Sequence, residues 1–466
     1  VSGRLIVVSN RVSVPGYSAA PGGLAVGVLS ALRHRGGIWV GWNGNTRDEP
    51  DPEPEVIEKE GIRFVTFDLP TAAFEAYYNG FCNATLWPLH HYFPGQFRYD
   101  SSEFEAYMSI NRRFALAVAK QLQDGDVIWV HDYHLIPLAA QLRQLGVRAR
   151  IGFFLHIPYP NIAVLRALPV YAELVRDLCQ YDLVGFQTEE DLEGFQSAVR
   201  LVFHEEASFN GEHIRLSNRR IGMGVFPISV DVEAVANQAA ASAQEDEQVR
   251  RLVNGLLGRK LLLGVDRLDY SKGLVERFTA YRALLESSPD LQGKVTYIQV
   301  APLSRQNVTA YMEIRDLLER AAGHTNGAFA DTDWTPVRYL NRDFPHETMC
   351  GFLRVAHVGV VTPVRDGMNL VAKEFVAAQN PEDPGTLVLS SMAGAARELT
   401  DALLVNPYDK NAVALALRQA LAMPLAERRQ RHEAMMKVLR KNCITRWSST
   451  FLQRLRGAEA ASRVYA

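Results

Sequence analysis

The chain has 466 residues, a formal net charge of −2 at pH 7, 47% hydrophobic residues and 22% charged residues. That length allows two or three ordinary domains, and the balanced charge excludes a general binder of nucleic acid or membrane surfaces. Any anion site must therefore be made locally. The four cysteines, Cys82, Cys179, Cys350 and Cys443, are far apart and form no metal or redox spacing, which fits reduced thiols of a cytoplasmic protein. No apolar run approaches the ~20 residues of a membrane span, and no signal-peptide pattern precedes the first strand.

Leu5 to Val8 reads as a short buried strand, with Ser9 to Arg11 at its C-terminal end. Ligands of open α/β sheets bind at such ends. Pro21 to Gly27 (PGGLAVG) leads into a helix to about Arg33, and its adjacent glycines let a phosphate approach the backbone. GGxxxG is not the GxGxxG dinucleotide fingerprint, so no nicotinamide cofactor is expected. Gly37 to Trp42 reads as a strand, and acidic, Pro-rich Asp48 to Glu60 as a surface loop. Tyr77, Tyr78, Trp87 and Pro88 lie in an aromatic-rich region that suits a sugar ring or a packed core equally. Glu103 to Gln123 has the spacing of a long amphipathic helix.

Asp126 to Val130 is a strand ending in HDYH, His131 to His134. Histidines at i and i+3 suggest a metal, but no third ligand follows at useful spacing, so no metal is expected. Asp132 is read as a hydroxyl acceptor. Arg150 to Leu155 is a further strand and delivers His156 to the same edge. Tyr181 to Gly185 is the next strand, and Thr188 caps the following helix. Phe203 to Arg220, with Asn210-Gly211 at its centre, reads as a β-hairpin. Asp231 caps a short helix, and a domain boundary is expected near the polar Ala234 to Glu247.

The second half restarts the alternation. Strand Lys260 to Val265 ends in DRLDYSKG, where Arg267 and Lys272 place two cations on one loop. A diphosphate leaving group needs positive charge where negative charge develops. Strand Val295 to Val300 is followed by Arg305, a candidate for a terminal phosphate, and then a long helix. Val337 to Leu340 is a short strand before a loop to Phe344.

Val358 to Val361 and Thr362 end a buried strand at Pro363. Arg365, Asp366 and Gly367 make a polar turn, and Met368 to Ala378 is helical. A strand, a Gly turn and a helix bring free backbone N–H groups and the positive helix end to one point, which is an anion site. Asp366 and Glu374 flank it. An anion cradle beside carboxylates suits a sugar nucleotide. Strands Thr386 to Leu389 and Ala402 to Val405 follow, and Asp409 to Arg456 is helical.

The motifs SNR, PGGLAVG, HDYHL, FFLHIPYP, RLDYSKG, APLSR and RDGMNLVAKE occur in the order seen in the trehalose-6-phosphate synthases, glycosyltransferase family 20. The resemblance runs from Leu5 to about Phe451 and is to the bacterial single-activity form. It implies an α/β fold of the GT-B type, two Rossmann-like domains facing across a cleft with a C-terminal helix crossing back. The expected divisions are residues 1–236, 237–450 and 451–466. It also implies transfer of glucose from a nucleotide-glucose, usually UDP-glucose, to glucose 6-phosphate.

Site roles follow from the resemblance position by position. Arg11 and Arg305 would hold the acceptor phosphate, and Tyr78, Trp87 and Asp132 would line the acceptor sugar. On the donor side, Gly23 would approach through its backbone and His156 would face the glucose. Arg267 and Lys272 would bind the diphosphate. Asp366 and the backbone of Gly367, Met368, Asn369, Leu370 and Val371 would hold the glucose and diphosphate, Phe344 the base and Glu374 the ribose. The catalytic groups would be Arg267, Lys272, Asp366 and His156, with no cofactor and no metal. A homo-oligomer, dimer or tetramer, is expected by resemblance alone. No DxDxT-type phosphatase motif follows. Rival readings are a glycerol 3-phosphate glucosyltransferase, a pseudo-glycosyltransferase and a non-catalytic sugar-phosphate sensor. The donor base is not encoded, and the soft Pro15 to Ala20 loop reads as a lid.

Overall fold

The first strand, Leu5–Arg11 (β1), is buried at every residue except Arg11, as expected for a strand covered on both faces of a parallel sheet. The computed structural model describes residues 3–16, 23–49, 53–217, 219–303 and 309–457. By contact the chain forms two units, Val1–Pro227 with Ile444–Ala466, and Ile228–Cys443.

The first unit continues with β2 (Gly37–Arg47), β3 (Glu55–Lys59), β4 (Ile62–Pro70), β5 (Val127–His131), β6 (Arg150–Phe154) and β7 (Leu183–Phe186). It ends with β8 (Ala207–Asn210), β9 (His213–Leu216) and β10 (Arg219–Val225). Among the described residues these strands form one sheet in the order β3-β4-β2-β1-β5-β6-β7-β10-β9-β8. The seven strands from β4 to β10 in that order pair in parallel. Strand order reverses between β1 and β5, so the C-terminal ends of those two strands form a switch point, where open α/β sheets bind ligands.

The segment expected as a surface loop from Asp48 to Glu60 contains β3, which pairs antiparallel with β4. Glu60 and Gly61 turn the chain with φ of 52° and 73°, the backbone a two-residue hairpin turn requires. Charged residues in EVIEK hid this strand, and such charges are how a sheet edge is protected from further pairing. The segment read as one hairpin, Phe203 to Arg220, contains the β8-β9 hairpin, but Phe203 ends the preceding helix and Arg219 already belongs to β10. Thr188 caps the helix Glu189–Phe203 in a capping box with Asp191. Between β4 and β5 the chain is helical from Thr71 to His90, with a π-helical middle, Glu75–Leu86. The last helix, Ile444–Leu455, covers this sheet, and Phe451 stacks on Trp129 of β5 with ring centres 5.0 Å apart.

In the second unit β11 (Lys260–Val265), β12 (Val295–Val300), β13 (Val337–Leu340), β14 (Val358–Val361), β15 (Thr386–Ser390) and β16 (Leu403–Val405) form a parallel sheet ordered β13-β12-β11-β14-β15-β16. This is the doubly wound 3-2-1-4-5-6 order, and its switch point lies between β11 and β14. The helix that Asp231 caps is not short: it spans Val232–Glu245, with Asp231 Oδ1 accepting from Ala234 N at 3.1 Å. No helix of the described residues is long and apolar enough to cross a membrane.

Candidate active site

In the second unit the two loops at the switch point carry the predicted donor residues. The loop after β11 folds into a short 3₁₀ turn, Tyr270–Lys272, because buried Asp269 accepts from Ser271 N at 2.9 Å. The loop after β14 is tied to it, since Val364 N donates to Ser271 O at 2.9 Å. Lys272 thereby reaches Asp366, with Nζ 2.6 Å from Oδ2. Arg267, on the same loop, is exposed.

Asn369 completes the arrangement. It adopts a left-handed backbone, φ 73°, and caps the helix Leu370–Ala378 by accepting from Ala372 N at 3.2 Å. Its Nδ2 donates to the same Asp366 oxygen at 3.0 Å. The N–H groups of Leu370 and Val371, first in the helix, have no partner within it and carry the positive end of its dipole. The turn is braced from β15: Gly394 N donates to Asp366 O at 3.1 Å, and a Cβ on Gly394 would lie 1.9 Å from Gly367 O. Only glycine fits there. Asp366, Gly367, Met368, Asn369, Leu370 and Val371 are thus one continuous turn into a helix.

Glu374, one turn further on, has an oxygen 3.7 Å from His346 Nε2. The Cys350 sulfur and Glu374 raise the His346 imidazole to about 10, so it is charged at neutral pH. Phe344 packs edge-on against Phe352, with the Arg342 guanidinium 4.4 Å from its ring centre. Arg305 lies outside the described residues.

In the first unit Arg11 projects from the end of β1, exposed, with its guanidinium 5.9 Å from the Trp42 ring centre. Gly23 opens the helix Gly23–Arg35. Tyr78 stacks on His134, rings 5.7 Å apart and 10° from parallel. Trp87 is 4% exposed and stacked on His91 at 4.1 Å. Asp132 has φ 76° and ψ 165°, a backbone that glycine tolerates and other residues hold at a cost of about 1–3 kcal/mol. Its Oδ1 accepts from His156 N at 3.2 Å, so the residues after β5 and β6 are locked together. His156 Nε2 lies 3.1 Å from Nδ1 of fully buried His131. Burial lowers His156 to about 3, and burial followed by the neighbouring His156 lowers His131 well below 6.5. Both are neutral imidazoles, joined by a single N–H.

Four neighbours were not foreseen as part of the site: Trp42 under Arg11, His134 against Tyr78, His131 behind His156, and His346 beside Glu374. His131 and His134 belong to the HDYH motif, but they contact different partners, and that division depends on the turn after β5.

The model of the family described as glycosyltransferase family 20 matches residues 6–457. A trehalose-6-phosphate synthase of Enterobacter sp. (strain 638) is 46% identical over 459 residues, covering 97% of this chain and 95% of that protein. The solved alpha,alpha-trehalose-phosphate synthase (UDP-forming) of Burkholderia xenovorans, in complex with glucose-6-phosphate, is 47% identical with a TM-score of 0.94, covering 98% of this chain and 100% of that one. An E. coli relative, bound with UDP-2-fluoro glucose, is 44% identical with a TM-score of 0.93 and covers 98% and 100%.

Proposed function

This chain belongs to glycosyltransferase family 20, and from that premise we propose that it moves glucose from UDP-glucose to glucose 6-phosphate, giving α,α-trehalose 6-phosphate with retention. The observation that carries the reading is the turn Asp366–Asn369, where a carboxylate, a loop cation and a helix N-terminus converge at the switch point. That set offers hydroxyl acceptors and diphosphate donors side by side. The relatives solved with glucose-6-phosphate and with UDP-2-fluoro glucose supply the two substrates.

In this proposal Arg267 and Lys272 neutralise the departing diphosphate, Asp366 and the backbone from Gly367 to Val371 hold the donor, Phe344 sits beside the base and Glu374 takes the ribose. Gly23 and His156 complete the donor site. His156, neutral, acts as a hydrogen-bond partner of the glucose rather than as an acid. Arg11, Arg305, Tyr78, Trp87 and Asp132 take the acceptor.

A double-displacement mechanism needs a carboxylate nucleophile beside the anomeric carbon. The three carboxylates assigned to the site each have a partner already: Asp366 has Lys272 and Asn369, Asp132 has the His156 N–H, and Glu374 has His346. We therefore infer front-face transfer, in which the leaving phosphate oxygen takes the proton of the acceptor hydroxyl as the new bond forms. The enzyme contributes position and charge. No metal or cofactor is part of the proposal, and the protein acts as a homo-oligomer in the cytoplasm.

The test is a product assay with UDP-, ADP- and GDP-glucose, each with glucose 6-phosphate or glycerol 3-phosphate. Trehalose 6-phosphate formed fastest from UDP-glucose is the expected result. Product from glycerol 3-phosphate alone would move the acceptor assignment, and no product with tight glucose 6-phosphate binding would make the protein a sensor.

A further inference from the structure

Arg277 sits in the helix Leu274–Ser287 and is 1% exposed. Its guanidinium donates four hydrogen bonds, three to side chains and one to a backbone carbonyl. Nη1 donates to Asp266 Oδ2 at 2.6 Å and Gln299 Oε1 at 2.9 Å, Nε to Thr362 Oγ1 at 3.1 Å, and Nη2 to Lys272 O at 3.2 Å. Asp266 directly follows β11, Gln299 lies near the end of β12, and Thr362 directly follows β14. One buried cation therefore joins the C-terminal ends of three adjacent strands and the backbone of Lys272. The Tyr297 hydroxyl completes the cluster by donating to Gln299 Oε1. Gly264 of β11 leaves room for it: a Cβ there would lie 2.3 Å from Gln299 Oε1 and 2.7 Å from Arg277 Nη1.

A buried ion pair is weak evidence for stability, because apolar residues of similar volume often fold as well. What an apolar residue does not supply is a planar fork of directed donors. Here the fork fixes the Lys272 loop relative to Thr362, four residues before Asp366.

We propose that Arg277 is a positioning residue for the donor diphosphate. It touches no substrate. It holds the loop bearing Arg267 and Lys272 against the loop bearing Asp366, so that both cations meet the diphosphate together. This deepens the functional reading above and rests on it.

The experiment measures UDP and UMP affinity by calorimetry for the wild type, Arg277→Lys, Arg277→Met and Thr362→Val, with melting temperatures alongside. UMP lacks the second phosphate, so displaced diphosphate groups penalise UDP more. In Arg277→Lys and Arg277→Met, UDP affinity should fall about tenfold or more while UMP changes less than about threefold. A lower melting temperature with an unchanged UDP-to-UMP ratio would show a purely structural role and overturn the proposal. If neither Arg277 variant folds, Thr362→Val, which removes one acceptor at nearly constant shape, decides the matter: the ratio should fall about threefold, and an unchanged ratio overturns the proposal. Wild-type protein that binds neither nucleotide would instead overturn the functional reading itself.

Discussion

Lys272 Nζ and Asp366 Oδ2 lie 2.6 Å apart with side chains only 12% and 13% exposed. The cation assigned to the diphosphate and the carboxylate assigned to the glucose therefore hold each other across the switch point. Lys272→Met and Asp366→Asn should each lower kcat/KM for UDP-glucose. The double variant should lose less than the sum by about 1 kcal/mol or more, because the pair acts as a unit. Strict additivity would show that the two contribute separately.

Arg267 is the exposed partner of that loop and faces less desolvation. Its charge is needed when the diphosphate departs, so Arg267→Ala should lower kcat about 100-fold or more. Near-normal turnover would remove it from the site.

Asp132 combines a strained backbone with a bond to the His156 N–H. Asp132→Ala loses the bond and keeps the strain, costing about 1–2 kcal/mol. Asp132→Gly loses the same bond but relaxes the backbone, recovering about 1 kcal/mol or more. Urea unfolding should rank glycine above alanine, and both should lose activity with glucose 6-phosphate. An alanine variant as stable as the glycine one would contradict the strain.

The fold keeps His90, His131 and His156 neutral, with burial lowering His90 to about 4 and His156 to about 3. In the unfolded chain each titrates near its ordinary 6.5, so the unfolded state binds more protons below that pH. Their contribution to stability is intact above about pH 6.5. It declines toward pH 4 by up to ~1.4 kcal/mol per pH unit for each histidine. Imidazole ¹⁵N shifts of His131 and His156 should stay at neutral values from pH 8 to pH 5. Titration of His156 near 6.5 would refute its burial and its role as a neutral partner.

Strand ends were legible because these buried parallel strands are mostly apolar and β-branched and give way to polar loops: β11, β12 and β13 have the bounds the sequence suggests, and β14 stops at Val361, one residue before the expected Thr362. The turn at Asp366 was legible for the same reason, although the helix expected from Met368 starts at Leu370, after the left-handed cap Asn369. The strand β3 was not, since its charges look like a loop. Arg277 looks like one more charge on an amphipathic helix, and only the β12-β11-β14 order places it at the centre of the sheet's edge. The Lys272–Asp366 pair spans 94 residues, and nothing local in the sequence pairs those two. The left-handed backbone of Asp132 likewise comes from the β5-β6 junction and not from its own residue type.

The most direct measurement follows UDP-glucose and glucose 6-phosphate with the purified protein by ¹H and ³¹P NMR in real time. Front-face transfer predicts release of UDP together with a disaccharide phosphate carrying two α-anomeric signals, with no covalently glucosylated protein on quenching. A β-linked product, a glucosyl adduct on any carboxylate, or no turnover would contradict it.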